Sequence, residues 1–296
     1  MTTSGARRAA AAITALLALA GCAQRGGATP APSPAPSAEL PADAALVLRV
    51  EYVGGFVPAE TVAGRLPIAS VYADGRGIVE GPMPAIYPGF AWPNVQVVDI
   101  GRDGIQELAE RALAAGVAET EDLGTPPIAD VPSTRFTLVT AGATYVREAY
   151  GLAETAGVPA DGLTPAQEAA RRELSELFAA VTDLGSTEAG DEPPRRYAPT
   201  AVAGIVHPWT ASEEDIAQGL TPEPVPWPGP ALPGTPLGGL PDLSCVTATG
   251  AEAAAVIEAA GAANLLTPWL SGDGTRWSVL FRPLLPDESG CADLVH

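Results

Sequence analysis

Proline placement constrains this chain more than any other feature. Between Thr221 and Pro241, eight of 21 residues are proline. Each one fixes φ and removes a backbone donor, which excludes the stretch from helices and from the interior of a sheet. Yet it keeps Val225, Trp227, Leu232, Leu237 and Leu240, which a solvated linker has no reason to carry. The pattern predicts an extended strap over 221–241, ordered along the folded body with Trp227 buried against it. A second series, Pro30, Pro32, Pro34, Pro36 and Pro41, stands among Ala, Ser and Gly and reads as a tether over residues 22–43. Proline-rich chain extends ~3.1 Å per residue, so it can hold a body up to ~60 Å from its attachment point. In total 31 Pro and 32 Gly make 63 of 296 residues, about 21%, below the roughly 25–30% that marks disorder. The 47% apolar content therefore supplies a core.

Charge removes several function classes. All 16 cations are Arg. Without Lys there is no Schiff-base chemistry, no PLP enzyme and no Walker A loop. Thirty-five acids give a net charge of −19, or 14 − 35 = −21 once Arg7 and Arg8 leave with a signal segment. That balance excludes nucleic acid as a partner, because phosphate binding relies on Lys and Arg.

The N-terminus explains why those residues would leave. Arg7 and Arg8 precede an apolar run of twelve, Ala9 to Ala20, too short for the ~20 residues of a bilayer span. Leu19-Ala20-Gly21-Cys22 follows and resembles the lipobox of bacterial lipoprotein signals. The resemblance implies a signal peptide over 1–21, a diacylglyceryl group on Cys22 and a mature protein on the extracytoplasmic face of the cell membrane. Two or more acyl chains, palmitate among them, give stable anchoring where one does not. The residues around the arginine pair favour general secretion over twin-arginine export.

With Cys22 acylated, Cys245 and Cys291 remain, an even number in an exported chain. Oxidising surroundings predict a disulfide between them, closing a loop across 46 residues.

The body divides into modules over 44–184 and 199–296, joined by a polar, proline-broken linker at 185–198. Strands are predicted at Leu46–Val53, Ile68–Tyr72, Gly77–Val79, Val95–Ile100, Arg135–Thr140 and Thr144–Tyr150 in the first, and at Thr200–His207, Leu243–Thr247 and Trp277–Arg282 in the second. Asp74-Gly75 marks a hairpin turn with positive φ angles. Capping boxes are expected at Asp103 to Gln106, Thr164 to Gln167 and Thr249 to Glu252, and Ser212 caps a short helix. The class is α+β, with antiparallel hairpins and β-α units packed against two to three amphipathic helices. Strand, box and helix recur 146 residues apart, at Asp103 and Thr249, which hints at two similar halves.

The lipobox, the tether, the Arg-only composition and the Tyr72-Ala-Asp-Gly-Arg-Gly segment before a strand, helix and hairpin together resemble actinobacterial lipoproteins of unknown role. This resemblance implies fold and location and carries over no active site.

Catalytic and metal signals are thin. Asp99, Asp103, Glu107 and Glu110 fall near EF-hand spacing, but Gly101 replaces a ligand and a strand rather than a helix precedes them, so capping accounts for them better. Asp74, Asp161 and Asp273, each followed by Gly, are turn residues. His207 ends a strand without an orienting acid in the sequence, no Gly-x-Ser-x-Gly elbow exists, and His296 is a poor triad partner. No cofactor and no metal are expected. Trp209, Trp227 and Trp269 lie beside prolines; they form a candidate ligand surface for a cell-wall glycan or protein partner, or else pin the strap to the body. The leading expectation is a lipid-anchored binding or structural protein without catalysis. The alternative is a cell-wall or glycan hydrolase that uses a carboxylate pair.

Overall fold

The computed structural model describes residues 36–42, 44–158, 161–185, 192–238 and 242–294. Cys22, the signal run, most of the tether, Leu240, Pro241 and His296 lie outside the described residues. The described chain is an α+β protein with two sheets.

The apolar alternation of β1 (Leu46–Val53) decides which way that strand faces. Leu48 and Val50 enter the first core, whereas Arg49 and Glu51 point to the opposite face. A bulge between Leu46 and Leu48 turns Val47 inward as well. The chain continues through α1 (Ala59–Gly64), β2 (Ala69–Tyr72), β3 (Arg76–Glu80), β4 (Val95–Asp99), α2 (Gly101–Ala114), β5 (Ser133–Val139), β6 (Thr144–Tyr150), α3 (Pro165–Thr182) and β7 (Arg195–Arg196). These strands build a seven-stranded antiparallel sheet in the order β6-β5-β1-β2-β3-β4-β7. At the β2–β3 turn only Gly75 takes a positive φ, 99°, and Asp74 supports it by accepting the Arg76 N–H.

Helices α2 and α3 cover one face of this sheet. Their buried stripes are Ile105, Leu108, Ala109 and Ala112 on α2, and Leu174, Leu177 and Val181 on α3. Each fully buried leucine contributes roughly 1.5–3 kcal/mol. The capping box at Thr164 and Gln167 forms as the sequence predicts. The one expected at Asp103 does not. Helix α2 starts three residues earlier, with Ile100 at the N-cap and Asp99 accepting the Gly101 N–H, and Gln106 turns instead to the Ala38 carbonyl and Glu110. Thr249 likewise stands at the N-cap of its helix without a side-chain cap bond.

The second sheet takes β8 (Ala201–Pro208), β9 (Val225–Pro226), β10 (Thr235–Pro236), β11 (Ser244–Thr249), β12 (Trp269–Leu270) and β13 (Arg276–Pro283). Short α4 (Glu213–Ala217) follows β8 and α5 (Gly250–Gly261) follows β11. The order is β10-β11-β8-β13-β12-β9, with β12 and β9 parallel and the other pairs antiparallel. The proline strap supplies both outermost strands, one at each edge, where a missing N–H breaks no ladder. Small Ala253 and Ala260 with Val256 let α5 lie close on the outer face of this sheet. There Trp269 and Phe281 meet at 5.3 Å, and Trp227 joins them. Strands β4 and β11, which precede α2 and α5, each lie second from an edge beside a two-residue strand, while the sheets differ in strand number and in the parallel pair.

Residues 36–296 form one compact unit, and the two halves interlock within it. Helix α1, early in sequence, packs on β8 and β13 of the second sheet. Gly64 permits that approach, because a Cβ there would overlap Leu280 Cδ2. In the other direction, Leu285 from the C-terminal segment enters a core with Tyr72, Ile78 and Val95 of the first sheet.

Candidate functional site

Between the inner sheet faces lies a chain of charges that follows from strand alternation. Arg49 and Ser70 are cross-strand partners on β1 and β2, and the Arg49 Nε donates to Ser70 Oγ at 3.2 Å. Arg49 Nη2 then grips both Asp287 oxygens, at 2.9 and 3.0 Å, and the Tyr72 hydroxyl donates to the same carboxylate at 2.7 Å. One residue on, Glu288 accepts Arg282 Nη2 at 2.8 Å and the Leu285 N–H at 2.8 Å. Arg282 belongs to β13, donates through Nε to the Arg65 carbonyl and through Nη1 to the Pro283 carbonyl. Segment 284–288 is therefore a charged bolt between the sheets.

These surroundings shift the groups that pack around the bolt. Burial, followed by the Asp287 charge, holds the Tyr72 phenol far above its usual range. Burial pulls the Arg49 guanidinium down, but Asp287 and Glu288 outweigh it and the net shift is upward. Tyr197, whose hydroxyl donates to the Leu284 carbonyl, is pushed up to about 12, chiefly by burial.

The bolt forms one wall of a cleft of about 280 Å³. Four of the chain's 16 arginines line it, Arg49, Arg65, Arg135 and Arg282. Register accounts for Arg135, which stands on β5 opposite Glu51 of β1 and Glu148 of β6 and pairs with both, at 3.8 and 2.7 Å. The opposite wall is apolar, built from Val62 of α1, Leu66 and Leu294. Domain interfaces of this kind are favoured places for ligands.

The expected site residues are distributed elsewhere. Cys245 and Cys291 are joined, with Cα atoms 6.0 Å apart, and this bond ties β11 to the turn that carries Asp293 and Leu294 into the cleft. The three tryptophans do not make a common ligand surface. Trp269 is 1% exposed, Trp227 packs on it edge-to-face at 5.6 Å with its indole N–H on the Pro230 carbonyl, and Trp209 stands apart beneath Arg276. Their proline neighbours shape the strap that these rings pin. His207 Nδ1 lies 3.2 Å from the Pro208 carbonyl, with no carboxylate partner among the described residues. Asp273 is a turn residue whose carboxyl is held at about 2 by bonds from Ser271 and Thr275. Among the described residues no group of three or more His, Cys, Asp or Glu is arranged to hold a metal ion, and no helix is long and apolar enough to cross a membrane.

One surface has no antecedent in the sequence reading. Residues 81–98 carry no charge, and Met83, Ile86, Tyr87 and Phe90 within them are exposed beside Leu265. Tyr87 anchors this loop by donating to Asp215 at 2.6 Å. The signal was available as an uncharged apolar run with prolines, but sequence does not separate such a loop from core.

Compared with protein-family models, curated proteins and solved structures, the chain matches none.

Proposed function

We propose that this chain is a lipid-anchored protein of the cell surface, held through Cys22 on the extracytoplasmic side, whose role is to bind rather than to catalyse. The observation that carries this reading is the state of the charges in the inter-sheet cleft. Arg49 with Asp287, Arg282 with Glu288 and Arg135 with Glu148 are ion pairs that fix the walls. A glycan hydrolase needs two carboxyls with separated roles, one protonated and one ionised. In this cleft the carboxylates are instead taken up as ion-pair partners of arginines, which supports a shaped binding surface. The joined Cys245 and Cys291 support an oxidising compartment.

Retention and turnover of peptidoglycan fragments by the purified exported protein test this reading together. Retention with intact fragments is expected. Release of cleaved products would establish the hydrolase. Fractionation of Cys22→Ser tests the anchor: the variant is expected in the soluble fraction, and full retention in salt-washed membranes would refute the lipid attachment.

A further inference from the structure

Among the described residues, one arginine that lines the cleft has no carboxylate partner. Arg49, Arg135 and Arg282 each have a carboxylate partner. Arg65 has none within 4.0 Å among the described residues. Its Nη1 donates to the Tyr52 and Gly54 carbonyls, at 3.3 and 3.1 Å, while Nη2 and Nε find no partner there. Those carbonyl bonds immobilise the guanidinium, because Arg65 follows α1 directly and reaches back across the end of β1. The result is a preorganised fork at the edge of a cavity, in a chain whose net charge is −19.

We propose that the cleft binds a small carboxylate ligand, with the carboxylate on the free edge of Arg65 and an apolar substituent against Val62, Leu66 and Leu294. This deepens the binding reading and rests on it. Three features select the ligand class. A guanidinium edge with two parallel donors matches a carboxylate in bidentate fashion. Arg135 and Arg282 are already paired with Glu51 and Glu288 of the same lining, so Arg65 offers a single charge that a monoanion balances and a dianion exceeds, which favours a carboxylate over a phosphate. At about 280 Å³ the space sits at the low end for ligand cavities, which suits a peptide C-terminus or a sugar acid and excludes a long polymer threaded whole.

Titration calorimetry on the exported, disulfide-intact protein tests this with N-acetylalanine, its neutral amide and inorganic phosphate as probes. The acid is expected to bind at least tenfold more tightly than the amide and more tightly than phosphate. Arg65→Gln is expected to weaken N-acetylalanine tenfold or more, and Arg65→Lys to recover part of that loss. Both variants should keep the parent melting temperature to within a few degrees, since Arg65 is half-buried and forms no ion pair among the described residues. Equal binding of acid and amide, unchanged binding by a folded Arg65→Gln, stronger binding of phosphate, or no heat with N-acetylalanine would each overturn the proposal. Peptidoglycan fragments still retained by Arg65→Gln would remove this ligand assignment and leave the binding reading standing. Cleavage of those fragments would remove the binding reading itself.

Discussion

At the scale of single residues, the bolt between the sheets makes two opposite demands. The Arg282 and Glu288 side chains are only 2% and 5% exposed, so each charge depends on the other for solvation it has lost. Glu288→Gln leaves a buried guanidinium short of its counter-charge and should destabilise the protein by about 3–5 kcal/mol. Replacing both members, Arg282→Met with Glu288→Leu, should cost far less than Glu288→Gln alone, because no orphaned charge remains. Urea unfolding of the two variants checks this, and equal destabilisation would contradict it. Tyr72 and Tyr197 add a pH dependence whose sign follows from linkage. Their folded pKa values lie above the ~10 of an unfolded tyrosine, so the folded chain keeps protons that the unfolded chain releases. Their contribution is complete below pH ~10 and falls as pH climbs toward the folded value, about 12 for Tyr197. Urea midpoints measured from pH 9 to 11.5 should therefore decline, and less steeply in Tyr72→Phe.

At the scale of elements, the strap shows what local chemistry decides and what it leaves open. Its prolines confine it to edges, and the structure uses it twice, as β9 and β10 on opposite edges of one sheet. Trp269→Ala removes a fully buried indole and should destabilise by about 3–5 kcal/mol. Trp227 is half-buried, so Trp227→Ala should lose less, about 1–3 kcal/mol, and should also speed proteolysis inside 221–238. An unchanged melting point together with unchanged cleavage would show that Trp227 does not fasten the strap. The long strands and the helices with a wide apolar stripe were legible for the same reason, since their periodicity is a property of the chain alone. Helix α1 and strands β7, β9, β10 and β12 were not, because each has at most six residues, too few to show a period, and α1, β7 and β9 are held by neighbours distant in sequence. The cleft was hidden for a related reason. The polar positions of β1, Arg49 and Glu51, read like any solvated face, and only the second sheet standing opposite turns them into a site. The Asp103 and Thr249 boxes failed because a glycine at the first helical position, Gly101 or Gly250, already sets the entry with positive φ, 70° and 56°.

At the scale of the whole molecule, the two sheets are coupled through very little chain. Helix α1 reaches from the first half onto the second sheet, and residues 284–294 return from the second sheet to the first. The C-terminal segment has its own fastening, because Cys245 lies in β11 and Cys291 three residues beyond Glu288. The crosslink therefore limits how far the bolt can withdraw as well as the freedom of the unfolded chain. A closed loop of 46 residues gives about 4 kcal/mol of stabilisation in the chain-entropy treatment. If the bolt is what couples the sheets, removing the crosslink should do more than lower the midpoint. The Cys245→Ser, Cys291→Ser variant should lose about 4 kcal/mol, and hydrogen exchange should rise first at Leu284, Leu285 and Glu288, whose amides donate to Ala201, Glu288 and Leu285, before it rises in either sheet. In the native protein, alkylation without reduction should label neither cysteine. Full labelling of both thiols would remove the crosslink from the account, and uniform exchange across bolt and sheets in the variant would show that the sheets are held together by their apolar faces alone.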